Sequence, residues 1–139
     1  MEPQELARRL QAELDAVAAP FVRQLGLVVE AADAESATLR LPVVPALVHS
    51  GGVVCGQALM TAADTAMIVA LSAALGGFRP MTTVQLQTSF LRPVPGDTPQ
   101  LRIVCRVLRK GKTLGFGDVQ ILLPDGKVAA HATTTYALL

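Results

Sequence analysis

Tryptophan is absent from the 139 residues, and aromatic surface is limited to one tyrosine and four phenylalanines. The core must therefore be built from Leu, Val, Ile and Ala. Charge is scarce too: 17% of residues are charged and the formal net charge is +1. That balance leaves no electrostatic footprint for nucleic acid. With 51% apolar residues the chain can fill a core, which excludes a disordered segment. Only two cysteines occur, Cys55 and Cys105, with no CxxC or metal-ligand spacing. The N-terminus carries Glu2, Glu5, Arg8 and Arg9 and lacks an apolar stretch behind a basic start, so it does not read as a signal peptide. A cytoplasmic protein with free thiols is expected. One domain over residues 1–139 is expected from length alone, with a helix over 1–20 and the remainder over 25–139.

What the sequence does contain is apolar residues beyond the needs of a small monomer. A mean hydropathy of +0.45 favours further burial between subunits. The segment from Val53 to Leu75 has Asp64 as its only charge and is long enough to span a bilayer. A central Asp costs roughly 2.5–3.5 kcal/mol on insertion scales, and the segment is rich in Ala and Gly rather than Leu and Ile. A helix wrapped on all sides by protein fits better, and no membrane is expected.

Leu6, Leu10, Leu14 and Val17 recur at helical spacing, so Pro3 to Ala19 is predicted helical, with Pro20 ending it. Two short strands follow at Leu25–Ala32 and Ser36–Leu41. The segment from Pro42 to Val54 reads as loop, and a long helix runs from Gly56 to Leu75, stopped by Gly76 and Gly77. Four strands complete the chain: Thr82–Leu91, Gln100–Arg109, Thr113–Leu123 and Val128–Ala137. In the first of these, alternation places Val84, Leu86, Thr88 and Phe90 on one face and Thr83, Gln85, Gln87 and Ser89 on the other. This order predicts an α+β fold. An antiparallel curved sheet of five to six strands wraps one long central helix, with an N-terminal helix outside it. Such a sheet must hide its remaining edge or face, most simply by dimerisation.

Asp64 is the outlier. An aspartate is a poor interior helix residue and is rarely buried without a partner. It is either a structural residue bonded to neighbouring backbone or Thr65, or a carboxylate aimed into a cleft as base or nucleophile. Gly56 and Gln57 open the helix, where amides lack intrahelical partners and lie at the positive end of the dipole. They form a candidate oxyanion site. Eight residues separate Gly56 from Asp64, about 12 Å along the axis. One chain cannot bring both to one carbonyl, so if both act, Asp64 must meet Gly56 of another subunit. His49 precedes the helix and is either a surface loop residue or a site residue, while His131 reads as structural or exposed. A Cys55–His49 nucleophilic pair lacks a third, orienting residue. Thr82 and Thr83 open a strand. Arg92, Arg109, Lys110 and Lys112 lie at chain reversals, where they either face solvent or grip phosphates.

The segments CGQALMTAADTAM (Cys55–Met67) and TTVQLQTSFLRPVPGD (Thr82–Asp97), with the later Gly-Lys turn and the PDGKVAAHATTTY ending, resemble hotdog-fold thioesterases of the PaaI type. The resemblance covers Leu25 to the C-terminus. It implies a cytoplasmic acyl-CoA thioesterase without metal or cofactor, coenzyme A being part of the substrate. It implies a homodimer or a dimer-of-dimers tetramer with shared sites. Asp64 falls on the family's catalytic carboxylate and Gly56 on the glycine whose amide polarises the carbonyl. His49 stands where Asn or Gln is usual. Thr82, with Thr83 beside it, falls on the family's Ser/Thr. Gln57 adjoins the carbonyl pocket, and Arg92, Lys110 and Lys112 are candidates for CoA phosphates. Cys55 replaces the usual His and Gln57 the second Gly. Those changes open the alternative of a non-catalytic acyl-CoA-binding protein. A hotdog hydratase would need a His–Asp pair of different spacing.

Overall fold

The computed structural model describes residues 1–139. Helix α1 spans Pro3–Val17 and a one-turn helix, α2, spans Pro20–Arg23. Pro20 therefore opens a helix as well as closing one, its fixed φ suiting a first turn. The strands are β1 (Val28–Ala32), β2 (Ser36–Pro42), β3 (Met81–Phe90), β4 (Gln100–Lys110), β5 (Leu114–Leu122) and β6 (Val128–Leu138). Helix α3 spans Gly56–Leu75. The first strand begins three residues later than its hydrophobic pattern suggests, because Leu25 and Leu27 are buried in the approach to it.

All six strands join one antiparallel sheet in the order β1-β2-β4-β5-β6-β3. Alternate residues of β2, β4, β5 and β6 point inward, and Leu39, Leu41, Leu101, Ile103, Val119 and Ile121 are fully buried. Their concave face wraps α3, which is therefore the core helix rather than a membrane span. The sheet lies so close to α3 that a Cβ on Gly117 would sit 2.5 Å from the Met67 sulfur. Gly76 ends the helix at φ +80, and the Gly77 N–H bonds the Ser72 carbonyl at 2.9 Å.

The sheet's two edges are treated differently. Edge strand β1 is five residues long, bulged between Val29 and Ala31, and packed beside α1. Its outer backbone is capped by Gln11 of α1, which accepts from the Val29 N–H at 2.8 Å and donates to the Leu27 carbonyl at 3.3 Å. Edge strand β3 is ten residues long, pairs only with β6, and has nothing over its free side. Val84 (59% exposed), Phe90 and Leu91 leave apolar surface along it.

Candidate active site

Asp64 projects from the middle of α3 toward β3 and β6. Its Oδ1 accepts hydrogen bonds from the Tyr136 hydroxyl at 2.7 Å and from Thr83 Oγ1 at 2.9 Å. Thr83 also reaches Oδ2 at 3.1 Å, and the Tyr136 hydroxyl lies 2.9 Å from the Asp64 carbonyl oxygen. Each hydroxyl has one proton to share, so the carboxylate keeps lone pairs free for a further donor. Tyr136 is buried, with its phenol pushed well above the ordinary range by burial first and then by the Asp64 charge. It stays protonated and remains a fixed donor. Asp64 itself is half-buried, while Thr83 is exposed at the free edge. The acid is therefore not sealed inside the protomer; it opens where the sheet lacks a neighbour.

The strict alternation predicted for β3 places Thr83 on the face away from Phe90. A bulge between Thr83 and Gln85 corrects this. The extra residue, Val84, resets the pleat. Thr83 thereby pairs with Tyr136 on the helix-facing side, which also carries Leu86, Thr88 and Phe90. Thr82 pairs with Ala137 and makes no side-chain bond to Asp64, so Thr83 is the threonine that reaches the acid. The expectation that a structural Asp64 would bond Thr65 also fails, because Thr65 Oγ1 donates to the Thr61 carbonyl instead.

At the N-terminus of α3, the Cys55 N–H bonds the Leu47 carbonyl, and no side chain caps the helix. The Gly56 and Gln57 N–H groups have no acceptor. Gly56 borders an open groove of about 360 Å³ lined also by Val54, Leu59, Phe90, Arg92 and Val94, among others. A Cβ on Gly56 would lie 3.2 Å from the Phe90 ring, so glycine lets the ring close on the helix start. Asp64 does not line this groove. The acid and the free amides lie at opposite ends of the same β3 edge, one beside Thr83 and the other beside Phe90.

The remaining predicted residues are spread more widely. His49 folds back on its own turn, its Nδ1 accepting from the Gly51 N–H at 2.9 Å, which leaves Nε2 as the donor on an exposed ring. Arg92 donates to the Val128 carbonyl at 2.7 Å and borders the Gly56 groove. Lys110 donates to the Ala74 carbonyl at 3.0 Å, at the far end of α3, where it stabilises the helix C-terminus. Lys112 is exposed in the β4–β5 turn with no side-chain bond, and Gln57 is exposed in the first turn of α3. His131 lies on the outer sheet face, 3.5 Å from Asp118. Tyr136 escapes a motif reading. Its signal is that the one tyrosine stands in a strand of small residues, and a buried phenol needs a partner. No group of three His, Cys, Asp or Glu side chains forms a metal site.

A six-stranded antiparallel sheet wrapped around one long helix, with an acid in mid-helix and unpaired amides at its start, defines a hotdog domain. The sequence matches the thioesterase superfamily over residues 51–130, more than half of the chain, and the chain belongs to that family. Acyl thioester hydrolysis is the general activity that this membership supports. Among solved structures, a conserved protein from Pseudomonas aeruginosa is 29% identical, with TM-score 0.80 over 90% of this chain and 98% of that one. The PaaI protein of the E. coli phenylacetic acid degradation operon is 20% identical, with TM-score 0.79 over 96% of each chain. Zebrafish thioesterase superfamily member 2 is 20% identical, with TM-score 0.83 over 100% of this chain and 99% of that one. No curated protein matches the sequence.

Proposed function

We propose that the protein hydrolyses an acyl-CoA thioester to the free acid and coenzyme A in the cytoplasm, in a dimer built on the free edge of β3. The observation that carries this reading is the placement of two half-sites at the two ends of that edge. Asp64 is held by Thr83 at one end, and the free Gly56 and Gln57 amides lie beside Phe90 at the other. A second copy pairing antiparallel along β3 is related by a two-fold axis normal to the sheet. Both central helices then lie on the same side of the joined sheet. An axis through Gln87 sets Leu86 opposite the partner's Thr88 on the helix-facing side; with the Val84 bulge taking up one residue it sets Thr83 opposite the partner's Phe90, and so sets Asp64 beside the partner's Gly56. Two identical composite sites result. This resolves the separation of about 12 Å that prevents one chain from acting alone.

In each site the thioester oxygen accepts from the amides of the partner's Gly56 and Gln57. Asp64 takes a proton from a water that attacks the carbonyl carbon; the tetrahedral intermediate collapses and the CoA thiolate leaves. Direct attack by Asp64, giving a mixed anhydride that water then cleaves, uses the same geometry. Thr83 and Tyr136 orient the carboxylate, and the His49 Nε2–H can donate to the carbonyl or to water. Asp64→Asn should lower CoA release from an acyl-CoA panel by about 10²–10⁴-fold in a folded dimer. Unchanged turnover in that variant refutes the assignment. Tight acyl-CoA binding by the wild type without CoA release would instead identify a binding protein, the reading left open by His49, Cys55 and Gln57.

A further inference from the structure

One shielded polar side-chain atom in the protein lacks a partner. Thr88 Oγ1 lies out of reach of solvent and is bonded to nothing. The hydroxyls of the buried Thr65, Ser72 and Thr134 each donate to a backbone carbonyl. Valine has the same shape as threonine, suits a strand equally well and would leave no bond unmade. A hydroxyl in that position therefore calls for a partner from outside the protomer.

Thr88 stands on the helix-facing side of β3, opposite Ala132 of β6 and between Leu86 and Phe90. Gly56, beside Phe90, and Asp64, beside Thr83, are the ends of one i, i+4 row on α3 whose middle member is Met60. Met60 is 36% exposed. The strip between the two half-sites thus carries Met60, Leu86 and Thr88, and of these only Thr88 has an O–H or N–H group on its side chain. In the dimer described above, the row next to each composite site sets Leu86 opposite the partner's Thr88. Leu86 offers no hydrogen bond, so joining the strands leaves the hydroxyl unpaired. Thr88 lies two residues from Phe90, roughly 7 Å along the strand toward the two-fold axis.

We propose that Thr88 selects the acyl group by hydrogen-bonding an oxygen carried along its chain, a reading that rests on the thioesterase site described above. The groove at Gly56 and Phe90 is open and leaves room for coenzyme A, while the strip toward the two-fold axis is walled by both subunits and takes the acyl chain. There the hydroxyl meets a ketone or hydroxyl oxygen about two strand residues, or roughly 7 Å, in from the thioester carbonyl. Met60 and Leu86 pack on the methylenes between. A plain alkyl chain fits the same strip but leaves Thr88 unpaired, so the site favours the oxygenated chain.

The test compares wild type, Thr88→Val and Thr88→Ser on hexanoyl-CoA and 5-oxohexanoyl-CoA. The added ketone is too far from the thioester to activate it, so a difference between the two substrates reports recognition of the ketone. Wild type should favour 5-oxohexanoyl-CoA in kcat/KM. Thr88→Val should lower that value about tenfold for 5-oxohexanoyl-CoA and leave hexanoyl-CoA unchanged or faster. Thr88→Ser should keep the preference. Equal changes on the two substrates, or no preference in the wild type, overturn the proposal and leave hydrolysis standing. The hydrolytic reading itself falls only if no acyl-CoA of the panel is turned over. If the wild type releases CoA from neither of these two thioesters, calorimetry with both decides. Weaker binding of 5-oxohexanoyl-CoA alone by Thr88→Val then supports the role of Thr88, and equal or absent binding refutes it.

Discussion

Asp64 survives in an apolar helix because two hydroxyls from the sheet reach it. Thr83 supplies an exposed, exchangeable bond, and Tyr136 supplies a buried one whose proton is not given up. Thr83→Ala should leave the fold intact and lower kcat about tenfold, with Thr83→Ser close to wild type, as expected for loss of one bond to a charged group. Steady-state kinetics on one acyl-CoA checks this. Tyr136 also makes a pH prediction. Its folded-state pKa lies above the ordinary 10.0, so the unfolded chain loses its phenolic proton first as pH rises. The stabilisation is therefore complete below pH 10.0 and declines above it. Chemical denaturation should show the stability gap between wild type and Tyr136→Phe narrowing above that pH. At this scale Asp64 and Gly56 are legible in sequence, because a lone acid in an apolar run and a glycine before a helix stand out. Tyr136 is not, since its role depends on a contact 72 residues away.

Element boundaries follow the sequence pattern closely, because the periods of two and 3.6 are strong in β4, β6 and α3. The β3 pleat is the exception. Alternation assumes a regular ladder, and one bulged residue moves Thr83 to the opposite face. Nothing in the TTVQ segment signals the bulge, which arises from pairing with β6. The contrast between the sheet edges is likewise tertiary: β1 is capped by Gln11, and β3 is uncapped. Gln11→Ala should strip the partner from the outer, part-buried backbone of β1 and cost about 1–2 kcal/mol. For a chain of this size that is a drop of several degrees in melting temperature, readable by thermal denaturation. Activity per folded dimer should change little, because β1 lies at the edge opposite β3.

At the scale of the whole molecule, one free edge accounts for the exposed Val84, Phe90 and Leu91, the open side of Asp64 and the unpaired amides of α3. The high hydropathy suits the proposed subunit contact, and the strand order leaves the β3 edge free for it. Val84→Lys, a charge placed on that edge, should shift the protein toward a folded monomer and remove turnover together with the dimer. Light scattering and circular dichroism separate this from unfolding. The shared site is tested most directly by mixing two inactive variants. Asp64→Asn removes the acid. Gly56→Pro removes the amide at a first-turn position where the preceding Cys55 is already extended, and the exposed Phe90 ring, 3.2 Å from the new Cβ, has to swing aside to admit it. In a mixed dimer one site carries both lesions and the other carries neither. Co-refolding the two variants should therefore restore about half the wild-type turnover per mixed dimer. If the mixture stays as inactive as its parents while mixed dimers form, acid and amide belong to one chain and the account is contradicted.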